Sequence, residues 1–128
     1  MSTTLHKLPS AQEVFDIVVN HLFTQGRPAR QDDGRCRYRM ESGLRCAVGA
    51  LIPDEMYKEE FEGAGAYRLI DNLYALEIAD WREHKDLLDH LQNIHDECNQ
   101  TTVGAFNLIA LEERLRAAAE RFSLEYRR

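Results

Sequence analysis

The 128-residue chain contains few cysteines and no long apolar run. Its three cysteines, Cys36, Cys46 and Cys98, are an odd and widely spaced set, unlike the framework of a disulfide-stapled secreted domain. No segment approaches the ~20 consecutive apolar residues that cross a bilayer. Residues 1–9 also lack the apolar core of a signal peptide. These absences predict a cytoplasmic protein with reduced thiols and no membrane partner.

Positive charge is also scarce. The chain has 16 Lys and Arg residues against 22 Asp and Glu residues, which gives a formal net charge of −6. This excess of acidic residues argues against a generally basic nucleic-acid-binding protein, because phosphate backbones attract positive charge. The length and the 44% of hydrophobic residues fit one globular domain over residues 1–128. Within it, we expect residues 1–9 to form a flexible or loosely packed N-terminal arm.

Apolar residues recur at helical spacing in four segments. The clearest helix begins after Ser10, which forms a capping-box pattern with Glu13, and it ends at Gly26. The other segments with this spacing lie within residues 69–76, 87–98 and 108–122.

Residues 27–45 show turn chemistry instead of helical spacing. Two glycine-containing turns, 32–34 and 41–43, flank the alternating segment 36–39. We predict that residues 36–39 pair with residues 44–46 in a small β-hairpin.

The apolar run 46–52 is too short for periodicity to separate a strand from a helix. Its small residues favour close helix packing, so we interpret it as helical, and Pro53 is typical of the first turn of another helix. The predicted fold class is mainly α, a compact bundle of about four to five helices with a small β-hairpin insert. The predicted core contains Phe15, Val18, Leu22, Leu51, Leu73, Leu88, Leu91, Leu111 and Leu115.

The candidate metal ligands are cysteines and one histidine. His95 and Cys98 lie one helical turn apart, and Cys36 and Cys46 could complete a tetrahedral Cys3His zinc site. The spacing of Cys36 and Cys46 is not that of a usual zinc motif. We therefore favour no metal and no cofactor, with Cys46 and Cys98 in the core and His95 hydrogen-bonded to a neighbour. A zinc-stabilised structural module is the alternative.

Motifs of established enzymes are missing from the sequence. It has no Gly-x-Ser-x-Gly elbow, no phosphate-binding glycine loop and no His-Glu-x-x-His motif. Cys98 and His95 could pair as thiolate and base, but such a pair also needs an orienting group and an oxyanion site. We predict a non-enzymatic protein.

The predicted hairpin carries an arginine-rich edge. Arginine and tyrosine are enriched at interface hot spots, and a basic edge on an acidic protein attracts an acidic partner surface. Two alternatives stay open: a nucleic-acid-binding accessory role in which the arginines bind phosphate, and internal neutralisation of the arginines by the acidic residues of 54–62. The residues predicted to bind a partner protein are Arg35, Arg37, Tyr38, Arg39 and Arg45.

Two segments of the chain resemble a known family. In residues 36–57, Cys-x-Tyr-Arg is followed by Gly-Leu-x-Cys-Ala-Val-Gly-x-Leu-Ile-Pro-Asp-Glu-x-Tyr, with Glu62 and Gly63 beyond. The second segment is residues 87–98. Both are similar to a family of small proteins encoded by tailed phages and bacterial genomes.

The resemblance implies neither a reaction nor a cofactor. Family members often carry a further cysteine where this chain has Ala50, which argues against a metal site in this block. Small acidic phage proteins without a catalytic signature commonly act by occluding a host protein. The resemblance therefore favours a phage-derived inhibitor that binds a host protein, such as a component of antiviral defence, in the host cytoplasm.

Overall fold

The computed structural model describes residues 5–31, 33–97 and 104–128. Within these ranges the protein is mainly helical and contains no β-strand. Three single 3-10 turns, Gly49–Leu51, Glu59–Phe61 and Arg82–His84, lie in the connections. None of the helices in the described part of the chain is both long and apolar enough to span a bilayer. The four α-helices are α1 (Ala11–Gln25), α2 (Ala66–Ala75), α3 (Lys85–Glu97) and α4 (Leu108–Arg121).

Helix α1 begins and ends where the sequence predicts. The Ser10 side chain accepts a hydrogen bond from the Glu13 N–H at 3.2 Å. At the other end, Gly26 adopts φ 74° and donates its N–H to the Leu22 carbonyl at 2.9 Å. This left-handed conformation suits glycine, and both caps satisfy backbone groups that the helix itself leaves open.

All four helices contribute to one hydrophobic core. Helix α3 contacts both α2 and α4, while α1 contacts α3, α4 and the Gly49–Leu51 turn. The core prediction is confirmed, since every one of these side chains is buried: Phe15, Val18, Leu22, Leu51, Leu73, Leu88, Leu91, Leu111 and Leu115.

The predicted hairpin is not formed as a pair of strands. Segments 36–39 and 44–46 meet only at an isolated antiparallel bridge between Arg39 and Arg45. The Cys46 N–H donates to the Tyr38 carbonyl at 3.2 Å, but the reciprocal bond is missing. The Tyr38 N–H donates to the Glu62 carboxylate instead, and the Cys46 carbonyl accepts from the Ala50 N–H. The ladder therefore stops after one bridge, because both groups that would extend it have other partners.

The apolar run 46–52 is helical over a single turn only. The Gly49–Leu51 turn ends at Ile52, whose backbone is extended with ψ 116°. A residue before proline is disfavoured in the helical conformation, so Pro53 explains this end. The turn after Pro53 does not continue into a helix, and the described residues contain no fifth α-helix.

Helix α1 is tied to the connection at Arg45. The Gln25 side-chain amide donates to the Arg45 carbonyl at 2.8 Å and accepts from the Arg45 N–H at 2.9 Å. His21 Nε2 donates to the same carbonyl at 3.0 Å. Two side chains of one helix therefore hold the backbone of one distant residue.

The described residues of both terminal segments are hydrogen-bonded to the rest of the fold, the first to the connection from α2 to α3 and the last to α1. In the predicted N-terminal arm, residues 1–4 lie outside the described residues, but His6 is held by a parallel bridge to Ala79 and accepts the Trp81 indole N–H on Nδ1 at 3.0 Å. At the other end, the Gln12 amide exchanges two hydrogen bonds with the Glu125 backbone. The chain is therefore anchored on both sides of the four helices.

Candidate binding cleft

A cleft of 810 Å³ lies between two stretches of the connection from α1 to α2 and the end of α3. Residues 30–31 and 34–38 form one wall and residues 62–65 form the other, while α3 contributes Gln92 and Asp96. Parts of residues 36–57 and of residues 87–97 thus meet at this cleft. The cleft is lined by Arg30, Gln31, Gly34, Arg35, Cys36, Arg37, Tyr38, Glu62, Gly63, Ala64, Gly65, Gln92 and Asp96.

Cys36, His95 and Asp96 form a cluster at this cleft. One ligand-type atom of each residue lies within 4.8 Å of those of the other two. Cys36 is positioned by its antiparallel bridge to Arg30, and the other two follow each other on α3. The sequence grouped Cys36 with His95 but missed Asp96. Cys46 is not in this cluster, and Cys98 lies outside the described residues.

The hydrogen bonds of His95 argue against a metal in this cluster. His95 is fully buried, and its Nε2 accepts the Ala29 N–H at 3.0 Å. The ring proton of the neutral imidazole therefore lies on Nδ1, which donates to Asp96 Oδ1 at 2.8 Å. A metal on Nδ1 would move that proton to Nε2, where it would face the Ala29 N–H. A metal on Nε2 would displace this amide. The cluster does not fit a metal unless a buried hydrogen bond breaks.

The thiols of Cys36 and Cys46 both have a raised pKa. Burial, together with the nearby Asp96 carboxylate, raises the pKa of Cys36 to about 11. Burial raises the pKa of the fully buried Cys46 as well, and its Sγ accepts the Gly49 N–H at 3.2 Å. Because the thiolate is the nucleophile and the metal ligand, neither group is prepared for either role at neutral pH.

Most of the predicted partner-binding arginines have internal partners. The Arg37 guanidinium contacts the Glu59 carboxylate at 2.5 Å. Arg39 and Arg45 both contact Asp54 Oδ1, at 2.8 Å and 3.0 Å. The structure therefore has the internal neutralisation that the sequence left open as an alternative for these three side chains.

Tyr38 does not lie on the surface. Its side chain is 5% exposed and belongs to the hydrophobic core, and its hydroxyl donates to the Ala64 carbonyl. The structure therefore places Tyr38 in the core and not beside the arginines with which the sequence grouped it. The alternating pattern placed Tyr38 opposite the arginines, and in the structure that opposite side is the core.

Arg30 and Arg35 differ from the other arginines of this region. The Arg35 side chain is 84% exposed, and its ion pair with Asp33 is long at 3.8 Å. Arg30 donates to the Asp96 carbonyl at 2.7 Å through Nη2, and its buried Nε has no hydrogen-bond partner among the described residues. Of the predicted partner-binding residues, Arg35 is thus the one that presents its charge at the mouth of the cleft.

Two further side chains of the cleft, Glu62 and Gln92, accept backbone N–H groups of distant residues, and sequence reasoning placed neither of them at a site. Glu62 accepts the Tyr38 N–H at 2.9 Å and the Arg39 N–H at 3.1 Å. Gln92 accepts the Val48 N–H at 3.1 Å and donates to Asp96 Oδ1 at 3.0 Å. The sequence could have indicated Gln92, because it is a polar residue on the apolar face of a predicted helix.

No family model matches this chain, and no curated protein or solved structure matches it either.

Proposed function

We propose that this protein is a non-enzymatic binding protein that contacts an acidic surface of a partner protein through the mouth of the cleft. The main support for this proposal is Arg35. Its guanidinium group is exposed, has one long ion pair, and lies beside a cleft of 810 Å³. Arginine is enriched at the centres of protein interfaces, and exposed charge steers association with an oppositely charged surface.

The cluster beside the cleft supports binding without catalysis. A general base needs a free lone pair, and the acceptor nitrogen of His95 is occupied by the Ala29 N–H. A thiol nucleophile needs a lowered pKa, and the pKa of Cys36 is raised. Both groups that could carry chemistry are therefore held in unreactive forms.

Charge favours a protein partner over a nucleic acid. Binding a nucleic acid requires several arginines or lysines on successive phosphates. Here Arg37, Arg39 and Arg45 are paired with carboxylates, and the whole chain carries a net charge of −6. A short acidic segment of a protein needs fewer positive contacts than a polyanion does.

The family resemblance supports one kind of partner. Proteins of tailed phages that lack a catalytic signature commonly act by covering a surface of a host protein. An inhibitor of a host defence component fits a small acidic protein with a surface cleft, and we include this role in the proposal.

The test is affinity capture from a bacterial lysate with three forms of the full chain: wild type, Arg35→Glu and the control Arg116→Glu. Arg116 lies on α4, which does not line the cleft, and its side chain is 58% exposed. We expect a captured protein to bind wild type and the control, to be lost with Arg35→Glu, and to dissociate as salt rises. Capture that Arg35→Glu leaves intact would refute this contact surface.

A further inference from the structure

We propose that the cleft holds a binding site for one oxyanion, a phosphate or a carboxylate group, between its arginine wall and the start of helix α2. This inference rests on the proposed function, because it names the chemical group of the partner that the cleft recognises. The inference is argued from three features: the cavity, the arginines on one wall, and the backbone N–H groups at the start of α2, which no side chain caps.

The arginine wall supplies the positive charge. Arg30 and Arg35 both line the cleft; Arg35 has one long ion pair with Asp33 at 3.8 Å, and Arg30 has no carboxylate ion pair among the described residues. The guanidinium group offers planar paired donors that match the geometry of carboxylates and phosphates. An anion that entered the cleft would therefore meet two guanidinium groups on one side.

The opposite wall supplies backbone donors. Residues Gly63, Ala64 and Gly65 line the cleft, and Gly65 is the N-cap of α2. No side chain caps this end of the helix in the described structure. The first N–H groups of a helix have no intrahelical acceptor, and the helix dipole favours negative charge there. Anions bind readily at such a position when other groups also attract them.

The two carboxylates that line the same cleft, Glu62 and Asp96, keep their negative charge but already have hydrogen-bond donors of the protein as partners. Glu62 already accepts two backbone N–H groups and the Tyr57 hydroxyl. Asp96 Oδ1 already accepts from His95 and Gln92. Both carboxylates are engaged with donors of the protein, so they are not the natural acceptors for Arg35 or for the α2 N–H groups.

The test titrates inorganic phosphate, and separately acetate, into the full chain while NMR follows the backbone amides and the arginine Nε–H signals. We expect saturable shifts at Ala66, Arg30 and Arg35, and no shift of the Arg116 Nε–H signal. Arg35→Ala should weaken binding by about tenfold, the usual loss for one charged hydrogen bond.

A second variant separates binding from folding. Gly65→Asp should place a carboxylate at the N-cap, where it would take the open N–H groups, raise the melting temperature and abolish binding of phosphate. A Cβ at Gly65 meets no atom within 4 Å, so the position has room for the change. The matched control Gly65→Ala leaves the N–H groups open and should keep the affinity.

The outcomes decide between the two sources of the anion and test the inference itself. Shifts with phosphate alone indicate a phosphorylated ligand, and shifts with acetate alone indicate an acidic side chain or a chain terminus. Absence of saturable shifts with both probes, or equal affinity in Gly65→Asp, would overturn the inference. If phosphate binds as expected but Arg35→Glu still captures its partner, the anion site stands and the proposed function fails.

Discussion

Gly49 is a residue at which the fold leaves no room for a side chain. A Cβ built there would lie 1.9 Å from the Tyr38 carbonyl oxygen, which is a backbone atom and cannot simply rotate away. We expect Gly49→Ala to lower the free energy of unfolding by about 3 kcal/mol, measured by urea denaturation. Gly65→Ala is the matched control because its Cβ meets no atom within 4 Å. Equal losses in the two variants would contradict this packing.

Glu62 is the residue that joins the two walls of the cleft. Its side chain is 11% exposed and accepts the N–H groups of Tyr38 and Arg39. In Glu62→Gln an amide NH2 would replace one of the two accepting oxygens, so one backbone N–H would face another donor. We expect the free energy of unfolding to fall by about 2 kcal/mol. Glu59→Gln changes the same functional group at an exposed position and should alter stability little. Thermal melts of the two variants should therefore separate clearly.

At the scale of elements, local patterns predicted the four helices well. Ser10, Gly26 and the apolar spacing of α1 act within a few residues of one another, and such signals are visible in a sequence. The connection from α1 to α2 could not be predicted in the same way. Its backbone donors are taken by Glu62 and Gln25, which are about 20 or more residues distant, and nothing local indicates this choice.

Helix α1 gives the protein a dependence on pH through its partly buried His21. Burial, with a contribution from the Arg45 charge, lowers the pKa of His21 below its ordinary value of 6.5. The unfolded chain therefore binds a proton more readily than the folded one, and stability should fall as the pH drops below about 6.5. We expect the melting temperature to decrease between pH 7 and pH 5.5.

The variant His21→Gln tests the source of this dependence. Glutamine keeps a donor for the Arg45 carbonyl but cannot take up a proton in this range. Its melting temperature should change less between pH 7 and pH 5.5 than that of the wild type. Burial also lowers the pKa of His90, so part of the decrease in melting temperature between pH 7 and pH 5.5 should persist in the variant. A decrease equal to that of the wild type would show that His21 is not involved.

At the scale of the whole molecule, side chains of all four helices share one hydrophobic core. The hydrogen bonds of His95 leave no ring nitrogen free for zinc. We therefore expect an excess of EDTA to leave the melting temperature unchanged, and added zinc to give no increase by mass action. A lower melting temperature after chelation would favour the zinc-stabilised module instead.

The site was harder to predict than the fold because its residues come from three distant stretches. The sequence grouped Cys36 with His95 through their chemistry, and the structure places them in one cluster. Asp96 was indistinguishable from the many other carboxylates of an acidic chain, and Glu62 was named only within the acidic stretch 54–62 and beside the resemblance motif. The arginines of 37–45 stood out by their type, although their ion pairs with Asp54 and Glu59 depend on how the connection folds.

The contact between His6 and Trp81 allows the N-terminal segment to be followed by the intrinsic tryptophan fluorescence of the protein. Trp81 is the only tryptophan of the chain, and its indole lies fully buried with its N–H on His6 Nδ1. All tryptophan fluorescence therefore comes from one buried indole, and His6 of the N-terminal segment covers its N–H group. A red shift of the emission reports the entry of water there, so release of this segment can be followed in the unmodified chain without an added dye.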